Sequence, residues 1–304
     1  MTRERSRARE ALGAAKARAI NGVLTVLPPR LSVQIQYLRA HHRPLNLRRP
    51  TRFTEKIQLI KLYGNLDAHG EWADKVRVKP RVAAILGDDW IIPTLWHGRA
   101  LPPRPERTWP TPYLIKANHG SGWNVHIDSD ADKDWARIEK TCAHWVRKPW
   151  LPHLREGQYS RITRQLLVEP RIGDGPALPV DYKFWVFGGR AEYVSFTVHQ
   201  LSTLKHTFFD RDWNRQPFTH SGYSQVPDKD VKRPTHFLQM RDAAETLGRS
   251  FPFARIDLYD LFEGPKFGEI TLTPLSGHQR FTPDEYDMRL GALLDLDAAS
   301  IPPG

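Results

Sequence analysis

The feature that most constrains this chain lies near its C-terminal end, where two short apolar strands each carry one carboxylate. Phe253-Ala-Arg-Ile-Asp257-Leu-Tyr is followed by Asp260-Leu-Phe-Glu-Gly264-Pro265, whose Gly-Pro is turn punctuation. Lys266-Phe-Gly-Glu269-Ile-Thr271-Leu-Thr273-Pro-Leu-Ser-Gly277 comes next. Arg255 and Asp257 are two residues apart and share a strand face, as do Glu269 and Thr271. If the strands pair, one face presents Arg, Asp, Glu and Thr together. Two carboxylates that close repel unless a cation sits between them. Oxygen-only ligands suit magnesium, above all magnesium shared with nucleotide phosphates. The plainer reading is an exposed hairpin with solvated charges, so a second signal is required.

That signal lies upstream. Tyr113-Leu-Ile-Lys116-Ala-Asn118-His119-Gly120-Ser121-Gly122-Trp123-Asn124 reads as a strand ending in a lysine, a glycine-rich turn and a second strand. Glycines expose backbone N–H groups that can wrap phosphate oxygens, and the lysine adds a fixed positive charge. The spacing is not that of a Walker A loop, and His-Gly-Ser-Gly also serves as an ordinary hairpin turn. Further along, Gln165 to Ile172 reads as a strand running into a hinge with Glu169. Asp181 to Val198 is a hairpin around Gly188-Gly189, with Asp181, Lys183 and Trp185 on one face. Asp210-x-Asp212 has the look of a metal pair but reads better as a polar strand end.

The remaining chain sets the frame. At 304 residues, with 40% hydrophobic and 26% charged residues, it can bury a sizeable core. The single Cys142 excludes internal disulfides and multi-cysteine metal sites, and its apolar helical setting (Asp134 to Trp145) reads as packing. No apolar run approaches the roughly 18 residues needed to cross a bilayer. The expected location is therefore the cytoplasm, with peripheral contact at the inner membrane face left open.

The net charge of +11 is concentrated at one end, where residues 1–52 hold twelve Lys/Arg against Glu4 and Glu10. This basic arm is open to anionic lipid, a polyanionic glycan or nucleic acid, or is simply a solvated helix. The near-neutral body carries no recognisable nucleic-acid motif, so no specific nucleic-acid binding is expected.

Helices are expected over 2–18 and 31–38, from Thr54 (as N-cap) to Tyr63, from Trp72 to Gly87, and over 233–249. A strand-like run occupies 90–95. Helices first and strands with a few helices afterwards give an α+β class. The expected units are a basic helical arm (1–45), an N-terminal subdomain (46–110), a flap subdomain (111–172), a C-terminal subdomain (173–295) and a tail (296–304). The five prolines between Pro102 and Pro112 mark one boundary.

Lysine and glycine flap, hinge Glu, strand lysine, then Arg-x-Asp and Glu-x-Thr occur in an order that resembles the ATP-grasp superfamily. The wording is most similar to its TupA-like branch, linked to teichuronopeptide and surface-polysaccharide biosynthesis. The phrases that carry this are Phe53-Thr-Glu-Lys-Ile-Gln, Ala73-Asp-Lys, Leu114-Ile-Lys-Ala-Asn-His-Gly-Ser-Gly-Trp-Asn, Asp181-Tyr-Lys-Phe, Phe209-Asp-Arg-Asp-Trp-Asn, Phe253-Ala-Arg-Ile-Asp-Leu-Tyr and Phe267-Gly-Glu-Ile-Thr-Leu-Thr-Pro. They span about residues 45 to 290.

The resemblance implies an ATP-grasp fold with ATP held between two antiparallel sheets. Lys116, His119, Gly120, Ser121 and Gly122 would hold phosphates, and Glu169 to Ile172 would line adenine and ribose. Asp181 or Lys183 would reach the ribose or phosphates. Asp257 and Glu269 match the superfamily's Mg2+ ligands, with Thr271 standing where many members place Asn. Arg255 and Lys116 would stabilise the transferred phosphoryl group. The implied activity is an ATP- and Mg2+-dependent carboxylate–amine ligase that joins a carboxylate-bearing substrate to an amine acceptor (an amino acid, uronic acid unit or glycan). A sugar kinase on the same fold, a glycosyltransferase and a non-enzymatic glycan-binding protein are the alternatives.

Overall fold

The computed structural model describes residues 2–173, 179–200, 203–227 and 231–297. The expected tail beyond 297 lies outside the described residues. Pro28 and Pro29 divide the N-terminal region into α1 (Thr2–Val26) and α2 (Pro29–His41), since a ring without N–H is tolerated only in a helix's first turn. Among the described residues no helix is long and apolar enough to cross a membrane.

α3 (Phe53–Tyr63) differs from expectation at its start, because Thr54 does not cap it. Arg52 holds the N-cap position, and Glu55 accepts from the backbone N–H groups of Thr51 and Arg52 at 3.0 and 3.2 Å. Thr54 is buried at the second helical position, where its hydroxyl donates to Asp287 Oδ2 at 2.7 Å. A buried carboxylate demands such a partner more strongly than an exposed helix end does.

The expected helix from Trp72 to Gly87 is two pieces, α4 (Gly70–Ala73) and α5 (Val78–Leu86). Buried Asp74 is extended between them, its carboxylate accepting from the N–H groups of Val76 and Arg77 at 2.9 and 3.3 Å. Such a local turn competes with helix continuation. The run 90–95 joins no sheet. Pro93 cannot donate to a ladder, and the first strand, β1, is Trp96–Gly98.

Four strands form the smaller sheet: β1, β2 (Tyr113–Ala117), β3 (Asn124–Ile127) and β4 (Leu166–Pro170), antiparallel in the order β1-β4-β2-β3. α6 (Trp135–Arg147) covers it with Ile138, Cys142 and Trp145. The larger antiparallel sheet comprises β5 (Asp181–Phe187), β6 (Arg190–Gln200), β7 (Thr203–Asp210), β9 (Phe253–Leu261) and β10 (Gly264–Thr271), in the order β10-β9-β5-β6-β7. β8 (Thr219–His220) pairs separately with β11 (Phe281–Thr282), and α7 (Phe237–Gly248) and α8 (Glu285–Leu293) complete the chain.

Period-two alternation turns Phe184 and Trp185 to opposite faces of the large sheet. Phe237 of α7 packs on Phe184 at 5.9 Å, while Phe53 of α3 packs on Trp185 and Phe253 at 5.6 and 4.9 Å. The class is α+β, as expected. The stretch 46–110 is shared: residues 47–90 join the large-sheet core, whereas Trp96, Leu101 and Trp109 pack against the small sheet.

The aromatic layer also buries two histidines against each other, His206 and His220, with ring centroids 4.3 Å apart and ring planes inclined at 56°. Burial pushes His206 down to about 2 and His220 down to about 4. In the unfolded chain each binds a proton near 6.5, so unfolding takes up protons between that value and the folded one. Stability is therefore complete above about pH 6.5 and is lost as the pH falls through this window. We expect urea midpoints to drop between about pH 7 and 5, less steeply in His220→Gln. Equal slopes in the two proteins would rule out the pair as the source.

Candidate functional site

Strand register assembles the carboxylates. Glu269 lies directly opposite Asp257, and Thr271 directly opposite Arg255. This depends on a bulge at Gly268, because ahead of it Phe267 pairs with Leu258. The extra residue moves the second half of β10 by one position, and a one-residue shift exchanges the faces of a strand. A Cβ at Gly268 would lie 2.9 Å from the Asp257 carbonyl oxygen, so the bulge has room for little but glycine.

Arg255 ties the cluster together. Its Nε and Nη2 donate to Asp257 Oδ1 and Oδ2 at 2.7 and 2.6 Å, and Nη2 also reaches Glu269 Oε1 at 3.2 Å and Thr271 Oγ1 at 3.1 Å. From β5, paired beside β9, Lys183 bonds to Asp181 and lies 3.3 Å from Asp257 Oδ2. Burial works against the charge on Glu269, but Lys75, Arg255 and Lys183 together outweigh it and hold the carboxyl down at about 2. Burial and the neighbouring Asp257 charge push Asp181 up to about 6. Asp181 Oδ1 is buried and has no hydrogen-bond partner among the described residues.

The glycine turn faces this cluster from the small sheet. Gly120 and Gly122 take φ of +93° and +71°, conformations open to glycine and strained for other residues. A Cβ on Gly120 would lie 2.1 Å from the Trp150 ring. Asn118 pins the base of the turn, donating to Thr163 O at 3.0 Å and accepting from Gln165 N at 2.9 Å. Lys75 bridges the two halves: its Nζ donates to Gly120 O at 2.8 Å and stands 3.4 Å from Glu269 Oε2. The break at Asp74 is what frees Lys75 from a helix to do so. Between the halves lies a cleft of about 220 Å³, whose walls include Lys79, Lys116, Gly120, Glu169, Asp257 and Glu269.

Asp181, Ser121 and Gly122 line the cleft too, while Lys183, Arg255 and Thr271 stand behind its carboxylates. Glu169 is buried with Lys116 and Lys79 each 2.5 Å from one of its oxygens, and the two ammonium groups hold its carboxyl low against the opposing effect of burial. His119 is turned away: its ring nitrogens engage Asn118 Oδ1 and Lys148 O, both at 3.1 Å, and it packs on Trp123. Ile172 follows the end of β4 and does not line the cleft.

Lys75, Lys79, Asn124, Tyr259 and Gly268 line the cleft as well, although the sequence pattern assigned them no role. All but Lys79 fall inside the phrases that carry the family resemblance, which is the signal that could have marked them. Lys79 has no such signal and comes into place through the path of α5.

The residues fit magnesium held jointly with a nucleotide. The two carboxylates that line the cleft, Asp257 and Glu269, would leave the rest of an oxygen shell to phosphate and water, while the Thr271 hydroxyl is engaged by Arg255 and Glu269. Among the described residues no group of three or more His, Cys, Asp or Glu is arranged to hold a metal alone.

Solved structures with related folds include D-alanine–D-alanine ligase from Bacillus anthracis, at 13% identity and a TM-score of 0.45, covering 79% of this chain and 76% of that one. The ATP-grasp ligase PsnB, complexed with a phosphomimetic precursor variant, Mg and ADP, is 13% identical with a TM-score of 0.37, covering 74% of this chain and 58% of that one. N5-carboxyaminoimidazole ribonucleotide synthetase in its ADP complex is 11% identical with a TM-score of 0.38, covering 66% and 45%. No curated protein matches the sequence. The sequence pattern of TupA-like ATP-grasp proteins matches residues 55–295, a span that takes in both sheets, the glycine turn and the carboxylate pair, and the chain belongs to that family.

Proposed function

We propose that this protein is an ATP- and Mg2+-dependent carboxylate–amine ligase. The observation that carries the reading is the meeting of Lys116, Gly120 and Gly122 from one sheet with Asp257 and Glu269 from the other around a single cleft. The backbone N–H groups of the turn and the Lys116 ammonium take the phosphates. Asp181, with its unpaired buried oxygen, takes a ribose hydroxyl or a metal-bound water, while Lys183 is already engaged by two carboxylates. Glu169 orients Lys116 and Lys79. Asp257 and Glu269, with Thr271 beside them, hold the magnesium, which supplies neutralisation of phosphate charge when bound.

The cleft is smaller than the roughly 300–1,000 Å³ usual for ligand sites. A nucleotide therefore enters when the turn at 118–123 lifts. Once it closes, catalysis is positioning and charge neutralisation. A substrate carboxylate oxygen attacks the γ-phosphorus and the bond to ADP breaks. The amine then attacks the acyl carbon, inorganic phosphate leaves, and the amine's proton passes to solvent. Arg255 stands behind the metal carboxylates and steadies them, and its charge acts on the phosphoryl group only through them. The family's link to surface polysaccharide supports a sugar acid or amino acid as the carboxylate source.

Saturating ATP–Mg is expected to stabilise the protein by about 2–3 kcal/mol in thermal denaturation. Asp257→Asn and Glu269→Gln should lose the magnesium-dependent part, and an undiminished shift in both would refute the site. Gly120→Val, whose side chain meets Trp150, should weaken ATP–Mg binding while Ser121→Ala leaves it unchanged; equal binding by the two variants would remove the turn from the site. Hydroxylamine should trap an acyl phosphate when ATP and the true carboxylate are present. A stable phosphate ester formed without any amine would instead identify a kinase.

A further inference from the structure

α2 is amphipathic in reverse. Its inward face carries Ser32, Val33, Gln36, Tyr37 and His41, and the polar members are tied down by hydrogen bonds. Ser32 Oγ donates to Leu24 O at 2.8 Å, and Gln36 Nε2 donates to His153 O at 2.7 Å. Tyr37 Oη bonds with Thr54 Oγ1 and His41 Nε2 with Gly277 O, both at 3.0 Å. The opposite face carries Leu31, Ile35 and Leu38, at i, i+4 and i+7, as one apolar stripe. Leu31 and Leu38 are 43% and 52% exposed, whereas a surface helix ordinarily turns such a stripe to the core. Across the Pro28-Pro29 elbow the last turns of α1 add Val23 and Val26, 57% and 81% exposed. Four of the eleven large apolar side chains exposed among the described residues therefore lie within this one helical elbow, and a concentration of that kind marks an interaction surface.

The charge around the stripe has one sign. Between Glu10 and Glu55 the chain has no acidic residue and eight Lys or Arg. Arg43 and Arg52 are paired with Asp284. Lys16, Arg18, Arg30, Arg39, Arg48 and Arg49 are exposed and form no ion pair among the described residues. Beside the elbow, the segment 149–164 packs on α3 and encloses a cavity of about 780 Å³, walled by Pro29 and by the exposed Arg147 and Arg161. The elbow is held rigidly against that segment. Arg155 Nη2 donates to the carbonyls of Leu24, Thr25 and Leu27 at 3.1, 2.7 and 2.7 Å, where α1 ends.

We propose that the α1–α2 elbow is a docking surface for an anionic phospholipid bilayer, on which the protein lies without spanning it. The flanking cations meet acidic headgroups, and Leu31, Ile35, Leu38, Val23 and Val26 enter the boundary between headgroups and acyl chains. A nucleic acid or a soluble polyanion would satisfy the arginines and leave the leucines in water. A second copy of this chain would cover the leucines but set like charges against each other. A bilayer with acidic lipid takes both parts of the surface at once. Docking of this kind does not depend on which reaction the cleft performs.

The test is co-sedimentation of the full chain with vesicles of phosphatidylcholine alone and of phosphatidylcholine mixed with phosphatidylglycerol. The protein should bind the mixed vesicles and not the neutral ones, more weakly as salt rises. Arg30→Glu/Arg39→Glu should weaken that binding roughly tenfold or more, and Leu31→Gln/Leu38→Gln about fivefold or more. Both double variants alter exposed side chains, so their melting temperatures and their thermal shifts with ATP–Mg should stay those of the wild type. Failure to bind the mixed vesicles, equal binding to both kinds, or undiminished binding in either double variant would overturn the proposal. Tighter binding to heparin than to the mixed vesicles, unchanged by Leu31→Gln/Leu38→Gln, would overturn it in favour of a soluble polyanion. Lipid-free self-association in sedimentation velocity, abolished by the same leucine changes, would overturn it in favour of a second copy. If a double variant melts early, Leu38→Gln and Arg39→Glu taken singly repeat the comparison.

Discussion

The Arg255 guanidinium is the interaction on which the site depends. Two carboxylates pressed together at adjacent strand positions repel by several kcal/mol at the effective dielectric of a protein interior, about 4 kcal/mol for unit charges 4 Å apart. Arg255 meets both, and its fork is bidentate on Asp257. Removing one partner from such a set leaves an uncompensated charge, so the group stands or falls as a unit. Lys183 and Lys75 extend the compensation to either side. The Glu269 carboxyl is thereby held ionised, and the two carboxylates stay aligned as the proposed shared cation requires.

The scaffold that presents this group is an uninterrupted continuation of the core. Along β9, Phe253 packs against Phe53 and Trp185, and the same strand face then carries Arg255 and Asp257 toward the cleft. Rotamers behind a charged site are fixed when the neighbouring positions on its strand are packed aromatic rings. The small sheet has its own core around Ile115, Val168 and Cys142, so the glycine turn is carried by a separately packed unit. Lys75 joins the two units through Gly120 and Glu269, so one side chain ties the two walls of the cleft together.

Much of this is legible in local pattern. Residues two apart on a strand share a face whatever the fold, so spacing alone pairs Arg255 with Asp257, and Glu269 with Thr271. Glycines at 120 and 122 signal a turn that demands positive φ, and both have it. Long-range assignments are less legible. His119 sits inside the glycine turn in sequence, yet its ring is spent on Asn118 and Lys148. Lys79 reads as one more helical lysine until α5 sets it 2.5 Å from Glu169. Thr54 looks like a cap until α8 brings Asp287 against it.

The sequence by itself determined the α+β class, the two hairpins, the residues that share a strand face and the family, because these follow from periodicity, turn chemistry and residue order. Only the tertiary structure decided which charges meet. The bulge at Gly268 sets the register that puts Glu269 opposite Asp257, the break at Asp74 sends Lys75 to the flap, and the packing of 149–164 on α3 gathers cations from distant stretches into one cavity. Contacts of this kind depend on where whole elements come to rest, and a side chain's own neighbours in sequence carry no record of that.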